Sequence, residues 1–102
     1  MGSRITLSPV QVASPIATGG SCQVVSISGT SAQSAALTAS VVHVTPTVDC
    51  FVREAANPTA LSDGTDHFLL ANATQSFAVT PLNKLAFKTT GAAGSVYIAP
   101  AV

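Results

Sequence analysis

The run Val41–Glu54, VVHVTPTVDCFVRE, decides how this chain folds. Val42, Val44, Val48, Cys50 and Val52 all carry even numbers, and in an extended chain they share one face. His43, Thr45, Thr47, Asp49 and Phe51 take the opposite face. A strand with one apolar face needs an apolar layer to cover it. Val48 is therefore expected in the core, where an aspartate would abolish folding. Pro46 interrupts the run. Proline donates nothing to a sheet ladder, so the strand either lies at an edge there or bulges and continues through Val48–Arg53.

Upstream, Arg4–Ala13 (RITLSPVQVA) alternates with Ile5 and Leu7 on one face, then Val10 and Val12 on the other, with Pro9 at the change of parity. It reads as two short extended pieces, and residues 1–20 as an extended N-terminal arm. Gly19-Gly20 marks a turn. Ser21–Ser28 (SCQVVSIS) is a β-branched strand with Val25 and Ile27 facing one way and Cys22 and Val24 the other, so cover is expected on both faces. In residues 30–40 (TSAQSAALTAS) alanine favours helix, but the Ser and Thr residues compete with it, and an extended path is expected.

Downstream, residues 55–66 form the main loop, with Asn57-Pro58 and Asp63-Gly64 as turn dipeptides. Short apolar runs follow at His67–Leu70, Phe77–Val79 and Leu85–Phe87. After a turn at Gly91–Gly94, Ser95–Ala99 closes the chain, with Val96 and Ile98 on one face and Tyr97 on the other. About eight short strands with frequent turn signals predict an all-β fold. The expectation is a single-domain antiparallel β-sandwich, jelly-roll-like, spanning residues 1–102.

The composition points to contact rather than chemistry. Of 102 residues, 47% are hydrophobic and only 8% charged, against about 25% charged in typical soluble proteins. Arg4, Arg53, Lys84 and Lys88 cancel Asp49, Glu54, Asp63 and Asp66. A free-standing domain relies on mixed surface charge and net charge to stay soluble and monomeric. A subunit covered by partners does not, and self-association is expected. The neutral balance argues against direct nucleic-acid binding. No apolar run is long enough for a transmembrane helix, and MGSRITLSPV lacks the apolar core of a signal peptide. Gly2 and Thr6 meet the loose spacing of a myristoylation site, as many MGS starts do by chance.

No motif carries catalysis. His43, His67, Cys22 and Cys50 form neither His-x-His nor Cys-x-x-Cys. Asp66 and His67 are adjacent and would point apart in a strand. His43 and Asp49 share a face, but at about 3.3 Å per residue they lie roughly 20 Å apart in a straight strand. Asp63-Gly64-Thr65-Asp66 has too few oxygen ligands for an EF-hand loop and reads as a turn. There is no GxSxG elbow; Cys22 and Cys50 read as two buried thiols, with a bridge between them left open, and Cys50 on an apolar face would be protonated and inert. Asn72-Ala73-Thr74 matches a glycosylation acceptor without any sign of secretion. Arg53 and Glu54 read as a solvated strand end, with pairing across an interface as the alternative. The sequence thus assigns no catalytic, cofactor-binding or metal-binding residue, and no enzyme is expected.

Taken together, VVHVTPTVDCFVREAANPTA, an Asp-Gly loop and FLLANATQSFAVTPLNKLAFKTTGAAGSVYIAPAV resemble small virion proteins of tailed bacteriophages. The shared features are a valine-rich strand into Asp49–Val52, the turn Asn57–Thr59, the segment Phe77–Val79 and a closing strand Gly94–Ile98, with weaker support from SAQSAAL before them. The resemblance implies a capsid decoration or cement protein, bound to major capsid protein subunits and to copies of itself, assembled into the virion in the host cytoplasm. It implies no cofactor, no membrane and no small-molecule substrate. A head–tail connector or tail-associated ring component is the alternative, and a host-surface or glycan-binding β-sandwich module the second.

Overall fold

The computed structural model describes residues 22–101. The expected N-terminal arm, with its Arg4–Ala13 alternation and Gly2, lies outside the described residues. Among the described residues there are eight strands and no helix. They are β1 (Gln23–Ile27), β2 (Ala32–Gln33), β3 (Val41–Pro46), β4 (Cys50–Ala55), β5 (His67–Leu69), β6 (Gln75–Ala78), β7 (Lys84–Lys88) and β8 (Gly94–Pro100). Residues 30–40 follow the extended path.

The pairing is nested. β1 pairs with β8, β2 with β7, β3 with β6 and β4 with β5, all antiparallel. This is one long hairpin rolled up on itself. Further pairs β3–β8 and β4–β7 join it into two four-stranded sheets, ordered β1-β8-β3-β6 and β2-β7-β4-β5. That order is a jelly roll, the eight-stranded sandwich of two Greek keys. The expected sandwich is therefore the observed fold.

The run Val41–Glu54 is two central strands rather than one. β3 ends at Pro46, the chain turns through residues 47–49, and β4 begins at Cys50 in the other sheet. There is no bulge and the strand does not continue through residue 48, which corrects the sequence expectation, although β3 is locally unpaired on its β6 side at Pro46. Pro46 is tolerated because β6 pairs only with residues 41–44 of β3, so the missing N–H falls beyond its neighbour's end. The corner is pinned from both sides. Thr47 N–H donates to Ser95 O (2.8 Å) and Ser95 N–H to Thr47 Oγ1 (2.9 Å). Asn72 N–H donates to Pro46 O (2.7 Å) and Ala71 N–H to Asp49 Oδ1 (2.8 Å).

The core lies between the sheets. Val42, Val44, Cys50 and Val52 are buried and pack with Val25, Ile27, Leu69, Leu85, Phe87, Val96 and Ile98. Val48 is only partly buried, packed against this cluster at the corner. Gly94 sits beside it. A Cβ on Gly94 would come within 2.7 Å of a Val48 methyl and 2.8 Å of Thr47 Oγ1. Gly94→Ala is expected to cost about 1–3 kcal/mol through overpacking. Val48→Ala in the same chain should return part of that loss, which a urea-unfolding double-mutant cycle would measure.

Candidate functional site

The two outer sheet faces differ in kind. On the β2-β7-β4-β5 sheet the outward row Gln33–Ala86–Arg53 runs across three strands. Ala86 is nonetheless 0% exposed, because the β4–β5 loop folds back over it. Gln33 Nε2 donates to Pro58 O (2.7 Å) and Asn57 Oδ1 (2.8 Å), and Ala60 N–H donates to Ser31 Oγ (2.9 Å). At the other end of the loop Arg53 Nε meets Asp66 Oδ1 at 2.6 Å, with the Asp66 side chain 3% exposed. Asp66 Oδ2 also accepts from Leu61 N–H (2.7 Å). Arg53 is thus a loop anchor and not the solvated strand end expected from sequence.

The β1-β8-β3-β6 sheet has no such cover among the described residues. Its strands QVVSI, GSVYIAP, VVHVTP and QSFA contain no Asp, Glu, Lys or Arg. All seven charged residues of the described chain sit on β4, β7 or the β3–β4 and β4–β5 connections. The register builds the outer face in rows. Val24, Tyr97 and Thr45 align, and Thr45 Oγ1 meets Thr74 Oγ1 at 2.7 Å. Ala99, His43 and Ser76 form the next row, with Ser76 Oγ 2.7 Å from His43 Nδ1. Val24 is 61% exposed and Tyr97 55%. Cover on both faces of β1 is the sequence expectation; among the described residues only the Val25–Ile27 side is buried.

A cleft of about 180 Å³ opens between the sheets beside β5 and β6, lined by Val52, Glu54, His67, Phe77, Ala78, Val79 and Leu85. His67 ties its two walls. Its Nε2 lies 2.9 Å from Gln75 Oε1, and its ring meets the Phe77 ring edge-on at 5.4 Å. Glu54 is set inward by strand parity, beside Leu85. Its Oε2 accepts from Thr80 N–H (2.7 Å) and Asn83 Nδ2 (3.1 Å). These bonds hold the β6–β7 turn, where Leu82 adopts a left-handed φ of 75°. Sequence reasoning missed this cleft, although Glu54 extends the even-numbered face of Val42–Val52 and so signals an inward carboxylate.

The other candidate groups stay apart. His43 lies on the outer face of one sheet and His67 at the cleft between the two. Asp63 Oδ1 accepts from Thr65 N–H (3.0 Å) and Oγ1 (2.6 Å), a turn whose hydrogen bonds hold its carboxyl below the usual range. Among the described residues, no three His, Cys, Asp or Glu side chains gather as metal ligands. No helix there is long and apolar enough to cross a membrane.

Cys22 and Cys50 are not bridged; Cys50 is buried as expected, but Cys22, just before β1, is exposed. Burial, reinforced by the Asp49 charge, pushes the Cys50 thiol from 9.0 up to about 11. An unfolded chain would lose this proton first as pH rises, so the contribution is intact below pH 9 and lost between 9 and 11. The slope is about 1.4 kcal/mol per pH unit in that window. The check is the difference in unfolding free energy between the native chain and Cys50→Ala, which should shift only above pH 9.

Comparison with known proteins finds no matching family model, no matching curated protein and no matching solved structure.

Proposed function

We propose that the protein is a bacteriophage virion structural protein, a capsid decoration or cement protein that binds and stabilises the major capsid shell. The observation that carries this reading is the uncharged outer face of the β1-β8-β3-β6 sheet, opposite a face that is charged and covered by its own loop. Interface centres are depleted in charge and enriched in tyrosine, as this face is around Tyr97. Its hydroxyls and backbone offer hydrogen bonds without the desolvation cost of ions. Jelly rolls recur in viral capsid domains but also in lectins and cupins, so the fold alone does not choose. The phage-like segments Asp49–Val52, Asn57–Thr59, Phe77–Val79 and Gly94–Ile98 favour the particle. They fall at the corner, the covering loop, the cleft wall and a central strand, which are architectural positions.

On a shell lattice, many weak contacts add to stable attachment. No catalytic step is part of this role, and the protein resides in the virion. Copies meet along β1. Among the described residues this is the longest edge strand, five residues with no charge and no proline, against two in β2, three in β5 and four in the equally uncharged β6. Short edges resist pairing with other chains, and a longer uncharged one invites it. Sedimentation of the purified protein at micromolar concentration should show association, and a stable monomer would contradict it.

The decisive experiment is co-sedimentation with purified capsid shells. The native chain should bind in amounts comparable to the major capsid protein, and a folded Tyr97→Lys variant should not. Equal binding by the variant would remove the proposed face. A few copies confined to one vertex would favour a connector, and selective retention on a sugar array a glycan-binding module.

A further inference from the structure

We propose that the interlayer cleft is a binding site for a primary ammonium on an unbranched chain of about four to six carbons, carried by a lysine side chain of another protein or by a free alkylamine. This goes beyond the capsid reading and needs only the folded chain.

Size sets the first limit. The cleft holds about 180 Å³, short of the roughly 300–1,000 Å³ of sites for drug-sized ligands. It slightly exceeds the ~150 Å³ apolar cavity that accommodates benzene. One side chain or one short alkyl chain fills it. The walls set the second limit, since Val52, Phe77, Val79 and Leu85 present hydrocarbon from both sheets.

Charge sets the third. Glu54 is the one carboxylate among the lining residues. Among the described residues the single ion pair is Arg53–Asp66, so no cation neutralises Glu54. Its two hydrogen bonds, from Thr80 and Asn83, both end on Oε2. A carboxylate accepts at both oxygens, so Oε1 retains acceptor capacity. An alkylammonium meets all three limits: its stem covers the apolar wall and its head reaches the carboxylate. An alkyl carboxylate is repelled, and an alcohol lacks the charge.

The test is an NMR titration of the isotope-labelled full chain at pH 7 with n-pentylamine, n-pentanol and pentanoate, followed by Nα-acetyl-lysine amide. Pentylamine should shift Val52, Phe77, Val79 and Leu85 saturably, with half-saturation around 1 mM, and pentanol should bind about tenfold more weakly. Glu54→Gln keeps an acceptor for Thr80 and Asn83 and should reduce pentylamine to the level of pentanol. Binding of the lysine amide as well identifies a protein side chain as a fitting source, and binding of pentylamine alone a free amine. Equal binding of amine and alcohol to the native chain, or no shift at the cleft, overturns the proposal even if the variant fails to fold.

Discussion

Val44→Asp is expected to leave no cooperatively folded protein at room temperature. Val44 is 0% exposed at the centre of β3, paired with Ile98 on one side and Gln75 on the other. Its side chain points between the sheets, where the neighbours are Val, Ile, Leu and Phe. A carboxylate there meets no cation, and a buried unpaired charge costs several kcal/mol. Small domains hold only about 5–15 kcal/mol in total. Val48→Asp should be milder, because Val48 sits partly exposed at the corner and its carboxylate can turn to water. This revises the expectation that Val48 lies in the core proper. Thermal scans by circular dichroism of both variants make the check. A native-like transition in Val44→Asp, or a harsher effect at Val48, would contradict the placement of the core.

Much of this fold is legible along the chain because strand parity is local. Val42, Val44, Cys50 and Val52 are buried as their even numbers require, and Val25, Ile27, Val96 and Ile98 follow the same rule. The corner is not legible, for a physical reason. Pro46 and Cys50 are separated by three residues, so the turn preserves the parity of the run. One long strand and two strands in different sheets then carry the same pattern. The uncharged face is equally hidden. Val24, Tyr97, Thr45 and Thr74 meet only through pairings between distant strands, and no local window contains them. The covering of Ala86 depends on Gln33 reaching Pro58 and Arg53 reaching Asp66, contacts that no spacing rule encodes. Glu54 was readable in part: its parity pointed inward while its position beside Arg53 suggested a solvated end.

Phe87→Ala should produce the second large loss, about 3–5 kcal/mol, measured as a fall in the urea midpoint at unchanged slope. Among the described residues Phe87 is the largest fully buried side chain, on β7 between β2 and β4. Removing its ring empties the middle of the sandwich. The ladders to β2 and β4 hold β7 in register on both sides, which limits relaxation into the gap. The outer aromatic pair is the control. Phe51 and Phe68 meet at 5.2 Å with rings tilted by 59°, but Phe68 is 43% exposed. Phe68→Ala should therefore cost only about 0.5–1.5 kcal/mol. Comparable losses at the two sites would mean that the core is not centred on β7. The same pair separates stability from assembly. Phe87 lies in the sheet opposite the uncharged face, so Phe87→Ala held well below its lowered melting temperature should still bind capsid shells. Tyr97→Lys should do the reverse, keeping its midpoint while losing the shell.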